Sequence, residues 1–516
     1  MAYSLLIKNG VIVDGTGSAP YLADIGVNDD RIADIGNLNG ANADEIIDAS
    51  NLYIAPGFID LTNHGDVYGS IFTSPGQESL LNQGITTVLL GNCGESLAPI
   101  IKKESFGDLE RWTTGFSIPI NWTGVGEYLG TLESLKIGVN VATLVGQSTL
   151  KRNAKDIDEM SLLLERALAE GAYGLSSNFN FAQRDGGAEE ETIRLLKIVK
   201  KYDALYKLHL RDEGKDFLPS VNFVLNLARE TGVRTAISHL KAVGRSTWRE
   251  FDKALSIIRR GQEEGIPIYF DVFPYLRTGS MLISLLPAWV REEKSDILLQ
   301  KLNDEAFANA LIADLKKMTL HPEKILIASA FKDKSVVGKT LKEIGERTGK
   351  LPEEVIPEIL KINELKVTIF GKTLNGKNLL NALKDPKSAV ATDGAGYEID
   401  FARFGGGDLA HPRSFGAYPR FLNKISSKAG LKIETAVRKI TALPAEILGL
   451  RDRGVIRRKN IADLVIFHPE EFKDLATYKN PYQYSEGMKF LILNGKLAAG
   501  ENRPYQRSGM IMKRHA

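Results

Sequence analysis

Short apolar runs, many of them β-branched, recur along the middle of the chain with amphipathic stretches between them. Those at 57–61, 86–90, 139–145, 172–176, 205–208, 234–238, 266–270 and 388–392 predict eight strands. The stretches 156–168, 192–200, 217–229 and 248–265 carry apolar residues at helical spacing. The first of these stops at Glu170-Gly171, a glycine C-cap pattern. Strand and helix alternating this many times predict an α/β fold built on a (β/α)8 TIM-like barrel. An open doubly wound sheet, the rival, would show fewer strands.

The two ends of the chain resemble each other. Residues 5–13 place Asn9-Gly10 between two apolar runs, and residues 490–497 place Asn494-Gly495 likewise. Each predicts a hairpin. With a further strand at 462–467, they predict a small β-sandwich domain made of residues 1–55 plus 448–502. The barrel then occupies 56–447, and 503–516 is a tail. Charged helices at 297–318 and 336–348 lie in an insertion at about 283–386, which covers the barrel mouth or merely embellishes the surface.

Composition narrows the function. The chain has 516 residues, 43% hydrophobic and 25% charged, and 66 basic less 64 acidic residues leave +2. That balance gives no electrostatic reason to expect nucleic acid or an anionic membrane as partner. No apolar run reaches ~18–20 residues, so no membrane span is expected. The N-terminus reads as a strand rather than a signal peptide. A single cysteine excludes an internal disulfide and fits the cytoplasm.

That cysteine, Cys93, stands just past the strand at 86–90, in Gly91-Asn92-Cys93-Gly94. Two of the seven histidines, His209 and His239, close the runs at 205–208 and 234–238. A lone cysteine is more often a small buried hydrophobe, and a strand-end histidine is often only hydrogen-bonded. Together, a thiolate and two imidazoles at parallel strand ends suit Zn2+, with a fourth position left for water. Barrel enzymes place their chemistry at this end, where Asp60, His64, Asp271 and Asp393 also fall. Zinc would bring the pKa of water toward ~7, and Asp393 would take its proton and return it to a leaving nitrogen. Asp393-Gly394 is otherwise an ordinary turn former. Arg413, in His411-Pro412-Arg413 after the Gly405–Gly407 loop, suits bidentate capture of a carboxylate, unless it is simply solvated. Arg211-Asp212-Glu213-Gly214 either fixes the His209 loop and tautomer or pairs within itself.

Ala55-Pro56-Gly57-Phe58-Ile59-Asp60, Gly91-Asn92-Cys93-Gly94, His209-Leu210-Arg211-Asp212-Glu213-Gly214, Ile237-Ser238-His239, Thr392-Asp393-Gly394 and His411-Pro412-Arg413 occur in this order. Together they resemble the N-acyl-D-amino-acid deacylase (D-aminoacylase) family of the amidohydrolase superfamily. The resemblance implies zinc-dependent hydrolysis of the amide of an N-acyl-D-amino acid, giving a carboxylate and a free D-amino acid. It implies Cys93, His209 and His239 as zinc ligands and Asp393 as acid and base. Arg413 and Lys241 would hold the substrate carboxylate, with Tyr275 and Ser280 as weaker matches.

Two departures stand out. Thr62 occupies the first position of the family's His-x-His, and threonine is a poor zinc ligand. One tightly bound zinc is therefore expected, with His64 a weak or auxiliary ligand or a partner of Asp393. Phe181 stands where the family tends to have tyrosine. A cyclic-amide hydrolase of hydantoinase or dihydroorotase type is an alternative, although such relatives use a carboxylated lysine where Cys93 argues otherwise. A catalytically degenerate binding protein is the remaining one.

Overall fold

A strand covered on both faces of a parallel sheet must be apolar almost throughout. In the computed structural model, which describes residues 2–102, 118–178, 188–291, 293–318, 320–400, 407–501 and 503–514, Ile85–Leu90 and Ile268–Val272 bury every residue. Phe181, Gly405 and Gly406 lie outside the described residues.

Phe58–Asp60, Ile85–Leu90 and Asn140–Thr143 pair in parallel, in that order. A second parallel run sets Val145–Gly146, Gly174–Asn178, Leu205–His209, Thr235–Ile237, Ile268–Val272 and Ser388–Val390 side by side in chain order. The expected strand at 139–145 is thus two. It changes partners at Leu144, whose N–H bonds to the Leu90 carbonyl at 2.9 Å, while Val145 pairs with Leu175. At the other margin Asn63 bridges Gly394 in parallel.

Side chains alternate across each strand. Leu205, Ala236, Tyr269, Ala389, Ile59 and Leu89 share one apolar cluster. Tyr206, Leu208, Ile237, Phe270, Val390 and Val88 point the other way, into a larger cluster with the helices. Helix Ile157–Ala169 begins at Asp156, whose carboxylate accepts from the Glu159 N–H at 2.9 Å. Phe217–Thr231 and Phe251–Glu263 also follow their strands, without such a side-chain cap.

Both chain ends enter one mixed sheet of eight strands. Tyr53–Pro56 pairs antiparallel with Leu464–Phe467, which joins residues far apart in the chain. Asn494 and Gly495, at φ 51° and 77°, make a tight turn between Met488–Leu493 and Lys496–Gly500. The hairpin expected at Asn9-Gly10 does not form. Ala2–Ile12 is a single strand with a bulge between Ile7 and Gly10. Asn9 takes φ 61°, its N–H bonds to Asp24 and its side chain to Asp48, so the turn signal is spent on a bulge.

Residues 282–369 contain an apolar cluster of their own around Leu298, Leu311, Ile327 and Ile356. Thr278–Met281, Val367–Gly371 and Ile325–Ala330 form an antiparallel sheet beside it. The helix expected at 297–318 is two, Ser295–Lys301 and Glu305–Lys317. Asp304 breaks it by capping the second helix through the Phe307 N–H at 2.8 Å.

Two residues join these layers. Phe58 is fully buried and meets Tyr418 and Phe467 edge-on, at 5.7 and 6.4 Å between ring centroids. Phe58→Ala is expected to cost about 3–5 kcal/mol in urea unfolding, since it empties a junction rather than an edge. Asp60 accepts from the Thr392 N–H at 2.8 Å and from the Asn63 amide at 3.0 Å. Burial outweighs these bonds and raises its pKa to about 6. A carboxyl raised on folding stabilises the protein below its unfolded pKa near 4 and loses that contribution as pH rises through 6. Asp60→Asn should remove roughly 3 kcal/mol of pH-dependent stability between pH 4 and 6, whatever its constant offset.

Candidate metal centre and acid–base site

The parallel register sets the centre. His209 lies opposite Asn178, and Leu208 lies opposite Ile237, so His239 emerges two residues beyond that pairing. Cys93 leaves the end of Ile85–Leu90 through a left-handed turn. Cys93, His239 and Asp393 take φ of 55°, 38° and 54°, a region costing an L-residue roughly 1–2 kcal/mol. Three of the candidates therefore stand in strained positions just past strand ends, where such strain often serves function.

Cys93 Sγ lies 3.4 Å from His239 Nε2, and His209 Nδ1 lies 3.1 Å from the same atom. The three donor atoms all fall within 4.8 Å of one another. Burial pushes the Cys93 thiol up, but the charge of His239 and hydrogen bonds from both rings outweigh it and hold the thiol well below its ordinary value. A thiolate facing two imidazoles at this spacing is a donor set that suits zinc. Glu213 supports it from outside. Its Oε1 lies 3.5 Å from His209 Nε2, 3.4 Å from His239 Nδ1 and 2.5 Å from Lys241 Nζ. Burial works against that carboxylate, yet Lys241 and His209 keep it well below the usual range. The second role offered for the 211–214 turn, pairing within itself, is not what Glu213 does.

Asp393 and His64 sit beside this cluster. Asp393 Oδ1 meets His64 Nε2 at 3.1 Å, and Oδ2 accepts from Arg413 Nη1. Burial raises the Asp393 carboxyl, but Arg413, His239 and His64 together hold it well below the carboxylate range. Burial is the largest influence on the His64 ring and lowers it, but the hydrogen bond to Asp393 and the nearby charges of Cys93 and Asp393 together raise it above its ordinary value. Arg413 is 4% exposed, so this is a dry ion pair. Its guanidinium lies 5.2 Å from the Phe273 ring centroid, and among the described residues its buried Nε has no hydrogen-bond partner.

The remaining expected residues are placed as follows. Lys241 Nζ is 2.7 Å from His239 Nδ1. The Tyr275 hydroxyl donates to the Pro412 carbonyl at 3.2 Å, so it steadies the turn that carries Arg413. Ser280 lies on Thr278–Met281 and accepts from the Ser284 hydroxyl at 3.4 Å. Its neighbour Gly279 passes so near Arg413 that a Cβ there would stand 3.6 Å from Nη2. The strand Thr278–Met281, paired with Val367–Gly371, is thus one wall of the site.

Sequence reasoning missed two participants. Tyr68 stacks at a tilt on His64, 5.6 Å between centroids. Lys207, fully buried, pairs with Asp271 at 3.0 Å beneath the cluster of Cys93, His209 and His239. A charged residue inside the apolar run 205–208 was the available signal. Thr62 is drawn into the same group, its hydroxyl donating to Asp271 Oδ2 at 2.9 Å.

The model of the Amidohydrolase family matches residues 318–498. N-acyl-D-glutamate deacylase of Alcaligenes xylosoxydans xylosoxydans is 30% identical, over 99% of this chain and 97% of that protein. Among solved structures, N-acyl-D-glutamate deacylase from Bordetella bronchiseptica is similar with a TM-score of 0.83 and 26% identity, each chain covered entirely. That structure holds zinc and a phosphonate inhibitor, a mimic of the reaction's tetrahedral intermediate. A D-aminoacylase structure described by its binuclear metal center matches with a TM-score of 0.81 and 28% identity, over 99% of this chain and 100% of that one. With its apolar strand pattern, its Cys93, His209 and His239 cluster and this full-length similarity, the chain belongs to the N-acyl-D-amino-acid deacylase (D-aminoacylase) family of amidohydrolases.

Proposed function

We propose that this protein is a zinc-dependent hydrolase that cleaves the amide of N-acyl-D-amino acids into a carboxylate and the free D-amino acid. One observation carries the reading. A thiolate and two imidazoles lie within 4.8 Å of one another, and a buried Asp393–Arg413 pair stands beside them. Cys93, His209 and His239 hold one Zn2+ in this reading, with His64 auxiliary. Bound zinc supplies Lewis acidity and brings the pKa of water toward ~7.

The chain's own residues do the rest. Asp393 is held ionised and is therefore ready to accept a proton from water and to return it to the leaving nitrogen. His64 orients one of its oxygens. Arg413 and Lys241 receive the substrate's carboxylate, and Ser280 and Tyr275 shape that pocket from the wall. An arriving carboxylate competes with Asp393 for the guanidinium, which frees the base as substrate binds. Glu213 aligns both imidazoles and compensates Lys241.

The same reading covers architecture and place. The parallel strands close into a (β/α)8 barrel over 56–447, and the eight-stranded mixed sheet wraps its own core as a sandwich made of 1–55 and 448–502. The segment at about 283–386 folds as an insertion, followed at the end of the chain by the tail 503–516. No helix among the described residues is long and apolar enough to cross a membrane. With its one thiol given to the metal, we place the protein in the reducing cytoplasm.

Purified protein is expected to contain zinc and to hydrolyse N-acetyl-D-amino acids in preference to their L enantiomers and to hydantoins. A fully active metal-free enzyme, or turnover confined to cyclic amides, ends this reading. Asp393→Asn should lower kcat by about 10²–10⁴-fold while zinc content, read by elemental analysis, stays unchanged. Arg413→Met should lower kcat/KM by about 10–100-fold, chiefly through KM, and least for substrates lacking a carboxylate.

A further inference from the structure

Lys207 is the second group the sequence left unexplained. It is the third residue of Leu205–His209, so it faces the same way as Leu205 and His209. That alternation forces an ammonium into the interior beneath the metal ligands, and Lys207 is 0% exposed. Its Nζ donates to Thr62 Oγ1 at 2.6 Å and to Ser238 Oγ at 2.7 Å, and pairs with Asp271 Oδ2 at 3.0 Å. Three N–H donors meet three acceptors, and all three acceptor residues are buried. Asp271 Oδ1 in turn accepts from the backbone N–H of His239 at 2.7 Å. A buried charge left without partners would be very costly, and this one has a full set.

Its place gives it meaning. Thr62 stands two residues before His64, whose ring meets Asp393 at the mouth of the site. The ammonium therefore sits between the strand ends that carry His64 on one side and His209 with His239 on the other. A similar solved protein is described by a binuclear metal center. Here the groups that hold the ammonium are a hydroxyl at 62, a hydroxyl at 238 and the Asp271 carboxylate. Position 62 therefore points at a fixed buried charge, and a second dication that drew a ligand from it, beside His64, would be repelled.

We propose that the ammonium of Lys207, clamped by Thr62, Ser238 and Asp271, is a built-in cation that stands in for a second metal and confines this centre to one ion. The inference rests on the reading of Cys93, His209 and His239 as the first metal's ligands. Lys207 is also a positioning residue, because Asp271 ties its charge to the backbone of His239.

The test is metal stoichiometry. Wild type, Thr62→His and Thr62→His/Lys207→Met are equilibrated with excess Zn2+ or Co2+, desalted and analysed for bound metal, with Co2+ absorption as a second reading and circular dichroism as the check on folding. Wild type and Thr62→His should each retain one ion per chain, and the double variant should retain two. Two ions in wild type, two in Thr62→His, or one in a folded double variant would each overturn the role of Lys207 and leave the hydrolase reading standing. No ion in wild type would sink that reading itself. If the double variant does not fold, the wild-type and Thr62→His counts decide the matter alone.

Discussion

His209 lies opposite Asn178, and Leu208 lies opposite Ile237. From these two pairings follows the meeting of two imidazoles, to which the turn after Ile85–Leu90 brings the Cys93 thiol, and from that meeting the rest of the chemistry. A slip of one residue in either strand would turn every side chain to the opposite face. His209 would enter the helix layer, and Tyr206 would take the place of a ligand's supporting neighbour. Burial of Leu205 and Tyr269 on one face and of Tyr206 and Phe270 on the other makes such a slip prohibitive. Hydrophobic packing is thus the agent that aligns polar groups it never touches.

Around that alignment the molecule gathers charge in a place water does not reach freely. Cys93, Glu213, Asp393 and Asp271 are set against Lys207, Lys241 and Arg413, and nearly every charge has a named partner at hydrogen-bond distance. In a medium of low dielectric, such pairs interact strongly and lone charges are penalised heavily. The arrangement is therefore close to balanced before any ligand arrives, and it is strained in the backbone at Cys93, His239 and Asp393. Thr278–Met281 passes beside Arg413 and pairs with Val367–Gly371, which links the site to the segment that has its own core.

Most of this was readable in the chain, because the signals were local. Apolar runs marked the strands, and polar residues at their ends marked the chemistry. What could not be read was decided by contacts between distant residues. Asn9-Gly10 carries the same turn signal as Asn494-Gly495, yet Asp24 and Asp48 hold it in a bulge. Lys207 interrupts an apolar run, and only the approach of Thr62 and Asp271 gives it a reason. The break at Asp304 is local and was legible as a cap, but helical periodicity on both sides hid it. Arg413 looked free for a ligand, and the fold sets it on Asp393 first.

The sheet that joins Tyr53–Pro56 to Leu464–Phe467 has a consequence for biosynthesis. Tyr53–Pro56 finds this neighbour only after about 400 further residues have been made, a delay on the order of tens of seconds at about 5–20 residues per second. Until then Tyr53–Pro56 has an open edge, and the apolar side chains around Ile54 lack their cover from Leu464 and Ile466. Contacts this distant in sequence slow folding and leave nascent chains adhesive. Yield in a cell should accordingly depend on chaperones that hold the early strands apart from one another, far more than the stability of the finished enzyme would suggest.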